Sequence, residues 1–189
     1  MEPMKIVVLD RDGVINQDSD AFIKTPEEWM PIPGSLDAIA RLCHHGWRVI
    51  VASNQSGIAR QLFDLETLSA IHSKMCRLVA DAGGHIDAVF FCPSVDNDHP
   101  DRKPNPGMLV DLAQRLQSPP ESLIMIGDAA RDIQAACAVG AKPILVRTGK
   151  GERTLQKCHG RMNFPVFADL GAAVDYLLFR HSEDEHKQQ

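Results

Sequence analysis

The sequence predicts an α/β fold in which helices cover both faces of a parallel β-sheet. Two features carry this: short, nearly continuous apolar runs, and segments of helical period placed between them. A strand solvated on one face alternates apolar and polar residues, whereas a strand buried on both faces does not. The runs Ile6–Leu9, Val49–Ala52, Ala88–Phe91, Leu123–Ile126 and Ile144–Val146 are of the second kind, and Pro165–Phe167 is a weaker sixth.

The connecting segments read in order. Leu36, Ile39, Ala40 and Cys43 recur at helical spacing, with Ser35 placed to cap and Gly46 to close the helix. Asp64 caps a longer helix carrying Leu65, Leu68, Ile71, Met75, Leu78 and Val79, which stops near Gly83–Gly84. Pro104 and Pro106 suit the entry of a third helix with Met108, Leu109, Leu112 and Leu116. Ile133, Ala136 and Cys137 mark a fourth that ends at Gly140, and Leu170 to Phe179 forms a fifth.

At 189 residues and 44% hydrophobic content, the chain suits a single domain over residues 1–180, with a polar, unstructured tail at 181–189. Net charge is −5 and the basic residues are scattered, which argues against a nucleic-acid partner. No apolar run approaches a membrane span, and the stretch before Asp10 is too short for a signal-peptide core. Five cysteines (Cys43, Cys76, Cys92, Cys137, Cys158), an odd number without a C-x-x-C pair, read as reduced thiols of a cytoplasmic protein. A monomer is expected. Trp29 and Trp47 read as packing residues, and His44, His45, His72 and His85 as solvated residues near helix ends.

Ligands of a parallel α/β sheet bind beyond the carboxyl ends of its strands. The first run is followed by Asp10-Arg11-Asp12-Gly13 and the second by Ser53-Asn54-Gln55-Ser56-Gly57. The third leads to Arg102-Lys103-Pro104, and the fourth to Gly127-Asp128 with Asp132 beyond. Each is weak alone, since a D-x-D or Gly-Asp pair is usually a solvated turn. Together, in this order, they gather carboxylates, donors and cations in one crevice.

That inventory matches phosphoryl transfer, which needs a nucleophile, neutralised phosphate charge and a proton for the leaving oxygen. Asp10 is the candidate nucleophile, because a carboxylate is ionised without an activating base. Asp12, turned back at Gly13, can protonate the leaving oxygen and then deprotonate the attacking water. Crowded carboxylates beside a phosphate need a cation, and oxygen ligands of this type suit Mg²⁺. The expected ligands are Asp10, the backbone carbonyl of Asp12, and Asp128. Lys103 supplies a point charge and Ser53 a hydroxyl donor. Asp132 either steadies Lys103 and the metal waters from behind or favours the start of the following helix.

These motifs resemble the haloacid dehalogenase superfamily of phosphatases: Asp10-x-Asp12-Gly13-Val14, Ser53-Asn54-Gln55, Lys103-Pro104 and Gly127-Asp128-x-x-x-Asp132. Nearly the whole chain is similar to the histidinol-phosphatase branch, most specifically at Leu9–Asn16, Ser53–Arg60, Arg102–Leu109 and Val146–Gly151. The resemblance implies a Rossmann-like core without a large cap domain, with specificity set by loops at 16–33, 57–64 and 92–102. It implies that Asn54, Gln55, Ser56 and Arg102 contact a small-molecule sugar phosphate, with Asp18, Ser19 and Asp20 against its hydroxyls. The substrate implied is a heptose 1,7-bisphosphate, cleaved at its 7-phosphate on the way to nucleotide-activated heptose and lipopolysaccharide precursors. Histidinol phosphate is the alternative. A nucleic-acid 3′-phosphatase would show a basic groove, and a binding protein without catalysis would not need intact Asp10, Asp12, Lys103 and Asp128.

Two departures stand out. Relatives hold a structural zinc with three cysteines and a histidine, but here Cys92 is joined by Ser94, His99 and Asp101, so no structural zinc is expected. Relatives also often carry a lysine after the Gly-Asp pair. Here the residues are Ala129, Ala130 and Arg131, which removes one cation unless Arg131 reaches back.

Overall fold

A computed structural model describes residues 4–157 and 163–186. Its centre is a six-stranded parallel sheet in the order β3-β2-β1-β4-β5-β6. The strands are β1 (Ile6–Leu9), β2 (Arg48–Asn54), β3 (Ala88–Cys92), β4 (Leu123–Gly127), β5 (Lys142–Val146) and β6 (Val166–Phe167). The apolar runs therefore mark the strands: β1 coincides with its run, β2 to β5 extend theirs by one to three residues, and β6 is one residue shorter.

Between them lie α1 (Ser35–His44), α2 (Leu65–Asp81), α3 (Gly107–Leu116), α4 (Ala130–Ala138), α5 (Gly151–Lys157) and α6 (Leu170–His186). Alternate residues of β1 feed two cores. Val7 and Leu9 pack with Ala38, Ile39 and Leu42 of α1, Ile71, Met75 and Val79 of α2, and Leu170 and Val174 of α6. Ile6 and Val8 face Met108, Leu109 and Leu112 of α3 and Ala135 and Ala136 of α4. Burial on both faces explains the unbroken apolar runs of β1, β2 and β4, whereas β3, at the sheet edge, is largely half-buried despite its apolar run. Trp29 and Trp47 are buried, as expected of packing residues.

Four details differ from the sequence reading. Ser35 does not cap α1: Gly34, at φ +82°, holds the cap position, and the Ser35 hydroxyl donates to the Ile15 carbonyl at 2.7 Å. α5 went unseen because its only apolar side chain, Leu155, leaves no helical period. α6 continues to His186, into the stretch read as an unstructured tail, since no Gly or Pro interrupts it. His72 is mostly buried rather than solvated. Cys158 and residues 187–189 lie outside the described residues. No helix is long and apolar enough to cross a membrane among the described residues.

β1 and β4 are neighbours from which the chain proceeds in opposite directions across the sheet. The crevice beyond their carboxyl ends is where such sheets bind ligands. It contains Asp10 and Asp128.

Candidate active site

Asp10 follows β1, and its N–H donates to the Ile126 carbonyl of β4 at 3.0 Å, which carries strand geometry into the site. The carboxylate is only 2% exposed. Its Oδ1 accepts from the Arg11 N–H at 2.8 Å and lies 3.0 Å from Lys103 Nζ. Its Oδ2 is buried with no hydrogen-bond donor, and Arg131 Nη2 stands 4.0 Å away.

Lys103 is equally buried. Its ammonium donates to the Ala52 carbonyl at 2.7 Å and sits 2.7 Å from Asp132 Oδ1. Burial alone would favour the neutral amine, but Asp10 and Asp132 hold the pKa above the ordinary lysine value. Asp132 fills both roles left open by its sequence position: Oδ1 steadies Lys103, while Oδ2 accepts the Ala129 N–H at 3.0 Å at the start of α4. Asn54 holds Lys103 from the backbone side, giving Nδ2 to its carbonyl at 2.8 Å and accepting its N–H at 3.0 Å. With its amide so occupied, Asn54 is first a clamp on Lys103.

Asp128 follows β4. Its Oδ2 accepts the Lys150 N–H at 2.6 Å, and its Oδ1 is buried without a donor. Burial, then the Asp10 and Asp132 charges, push its pKa up to about 8. Asp10, Asp128 and Asp132 each offer an oxygen within 4.8 Å of the others. Two donorless carboxylate oxygens among three buried acids are what a hard divalent cation would bridge, and this donor chemistry fits Mg²⁺. The Asp12 carboxylate is not part of this group: its oxygens accept from Arg11, Asn16 and Gln55.

Two glycines make room for Asp128. A Cβ on Gly13 (φ +86°) would sit 2.1 Å from Asp128 Oδ2, and one on Gly149 (φ +56°) 2.2 Å from the same atom. The Thr148 hydroxyl donates to the Gly13 carbonyl at 2.6 Å, which ties the two loops together. The segment Val146–Gly151 is thus part of the carboxylate cradle.

The Asp12 carboxylate accepts from Asn16 Nδ2 at 2.9 Å, Gln55 Nε2 at 3.0 Å, and the Arg11 guanidinium. Arg11 contributes Nε at 3.1 Å and Nη2 at 3.0 Å to each oxygen. Arg11 is completely buried, and Nη2 also donates to Gln55 Oε1 at 3.2 Å. Gln55 Nε2 further donates to Ser53 Oγ at 2.7 Å, so Ser53, Gln55, Arg11 and Asp12 form one network. Sequence reading treated Arg11 as the spacer of D-x-D and missed it.

A cavity of about 200 Å³ opens here, lined by Asp12, Asp18, Asn54, Gln55, Ser56 and Arg102 among others. The expected substrate residues therefore converge. Phe22, Arg131 and Lys150 line it as well, and Arg131 does reach back toward Asp10. Arg102 is partly committed to its own loop, donating to the Ser94 carbonyl at 2.7 Å and Asn97 Oδ1 at 3.3 Å. Asp18 and Asp20 pair with Lys150 at 2.8 and 4.0 Å, so their charges are answered within the protein. In the third loop Cys92 Sγ is 3.6 Å from His99 Nδ1, which accepts the Asp101 N–H. A cavity of about 430 Å³ near Trp47, Pro143 and Tyr176 lies at the start of β5 and gathers no carboxylates, so the chemistry favours the smaller one.

Comparisons with known proteins place the chain among phosphatases. Residues 101–173 match the family model described as HAD-hyrolase-like. The chain is 52% identical over 176 residues to D-glycero-beta-D-manno-heptose-1,7-bisphosphate 7-phosphatase of Pseudomonas putida, covering 93% of this chain and 100% of that protein. It is similar to the crystal structure of D,D-heptose 1,7-bisphosphate phosphatase from B. bronchiseptica complexed with magnesium and phosphate. That match has a TM-score of 0.90 and 49% identity, covering 94% of this chain and 99% of that one. The Burkholderia thailandensis phosphatase of the same name matches at a TM-score of 0.74 and 46% identity, covering 92% and 98%. The chain belongs to the haloacid dehalogenase-like hydrolases, within the family of the heptose 1,7-bisphosphate 7-phosphatases.

Proposed function

We propose that this protein hydrolyses the 7-phosphate of D-glycero-D-manno-heptose 1,7-bisphosphate, with Mg²⁺, through a phosphoaspartyl intermediate on Asp10. The observation that carries the reading is the buried Asp10 carboxylate, with Oδ1 at Lys103 and Oδ2 donorless beside the acids Asp128 and Asp132. Identities near 50% with phosphatases of that name support the substrate.

The residues act in two steps. Asp10 attacks phosphorus, the phosphorus–O7 bond breaks, and Asp12 gives the departing oxygen its proton. Water then attacks the acyl phosphate while Asp12 takes its proton, which restores Asp10 and releases phosphate. Lys103 stabilises negative charge on the transferring group, and the Ser53 hydroxyl remains free to donate to it. Asp10, Asp128 and the Asp12 carbonyl would hold Mg²⁺, which would supply neutralisation of the phosphate charge. Asp132 and Asn54 hold Lys103 in place. Gln55, Ser56, Arg102 and, more weakly, Asp18 and Asp20 meet the rest of the sugar phosphate.

The working unit in this reading is a monomer acting on a small-molecule substrate. The four described cysteines are free thiols, which suits a reducing cytoplasm.

The test is phosphate release from heptose 1,7-bisphosphate and from histidinol phosphate, with Mg²⁺ or with EDTA. Mg²⁺-dependent preference for the bisphosphate is expected. Preference for histidinol phosphate would replace the substrate, and turnover undiminished by EDTA would remove the metal from the reaction.

A further inference from the structure

Neither Arg11 nor His72 is among the catalytic or metal-binding candidates above, yet Arg11 holds the Asp12 carboxylate and His72 stands behind Arg11. Arg11 is fully buried in a chain whose other arginines are surface or half-buried residues among those described. Its guanidinium forks onto both Asp12 oxygens and reaches Gln55 with the same Nη2. Its other terminal nitrogen, Nη1, points the opposite way, 3.4 Å from His72 Nε2.

His72 belongs to α2, the helix capped by Asp64, and its ring lies 6.0 Å from that of Phe91 on β3. Burial and then the Arg11 charge push its pKa down to about 4. The ring is therefore neutral at pH 7, and its Nε2 lone pair can accept from Nη1. A guanidinium is a rigid plane, so fixing Nη1 on one side fixes Nε and Nη2 on the other.

We infer that His72 is a positioning residue for the Asp12 proton transfer, acting through the Arg11 guanidinium from the helix behind the site. The inference rests on the proposed role of Asp12 as general acid. It predicts an effect confined to chemistry that needs that acid. A sugar alkoxide leaves poorly without a proton, whereas p-nitrophenolate needs little help. kcat/KM covers only steps through the first irreversible one, so it isolates this half of the reaction from the later attack of water.

The experiment measures kcat/KM for heptose 1,7-bisphosphate and p-nitrophenyl phosphate in wild type, His72→Leu, His72→Gln and Asp12→Asn, all with Mg²⁺. For His72→Leu the value on the sugar phosphate is expected to fall about tenfold, and on the aryl phosphate less than about twofold. His72→Gln keeps a carbonyl acceptor and is expected to restore most of the loss. Equal losses on the two substrates, or no loss on either, would overturn the inference. Arg11→Lys supplies a second route, independent of how His72→Leu folds. It keeps the charge but not the fork, and should show the same substrate-selective loss, with His72→Leu adding nothing to it. Losses of the two variants that simply add would also overturn it. Asp12→Asn separates the underlying reading: if it loses both substrates equally, the acid role of Asp12 fails whatever His72 does.

Discussion

Lys103→Met tests how the site is held together. The substitution keeps length and apolar stem and deletes the ammonium. Lys103 Nζ stands 3.0 Å from Asp10 Oδ1 and 2.7 Å from Asp132 Oδ1, with both side chains essentially buried. At an effective dielectric constant of about 20, the gross attractions are ~5.5 and ~6 kcal/mol. Desolvation of a buried ammonium offsets several kcal/mol of that sum. What remains is the usual result of removing one partner from a buried ion pair, a loss of about 3–5 kcal/mol at pH 7. The residual acids then repel one another, so the loss should shrink as pH falls toward 5 and carboxylates take up protons, and shrink on addition of Mg²⁺. Urea unfolding of both proteins at two pH values, with EDTA and with Mg²⁺, reads this directly. A loss below about 1 kcal/mol at pH 7 would refute the reasoning, as would one unchanged by pH and metal.

Other perturbations probe separate parts of the account. Gly13→Ala places a Cβ 2.1 Å from Asp128 Oδ2 at a φ of +86°. Apparent Mg²⁺ affinity, read from thermal-shift titration, should drop about tenfold or more, as expected when one ligand is displaced. The metal-free protein should lose stability as pH rises. The folded pKa of Asp128, about 8, exceeds its unfolded value of about 3.9, so this stabilisation is complete below pH 4 and is lost as pH passes 8. Unfolding in EDTA should show that slope and saturating Mg²⁺ should abolish it. Ser35→Ala removes the buried hydroxyl bond to the Ile15 carbonyl and should cost about 1 kcal/mol by denaturant titration, with kcat unchanged.

The parts legible in the sequence were those whose physics is local. Strands buried on both faces advertise themselves as apolar runs, and Asp10, Asp12, Ser53, Lys103 and Asp128 stand at or beyond their ends. What escaped depends on tertiary placement. A buried arginine carries no local signature, and His72 joins Arg11 only because α2 packs across 61 positions of sequence. Asn54 reads as a substrate amide, and its two bonds to the Lys103 backbone, 49 positions on, leave no local signal. Asp18 and Asp20 read as sugar contacts, but the Lys150 ammonium beside them stands next to a helix, α5, with no apolar period to announce it.

In the proposed reaction Asp10 carries the phosphoryl group between the two steps. Rapid acid quench during a single turnover of the sugar bisphosphate, followed by proteolysis and peptide mass analysis, tests it most directly. A phosphoryl group that appears on Asp10 and decays at the rate of phosphate release is the predicted result. Phosphate released with no phosphoryl group at Asp10 at any time, or with the group on another residue, would contradict the account.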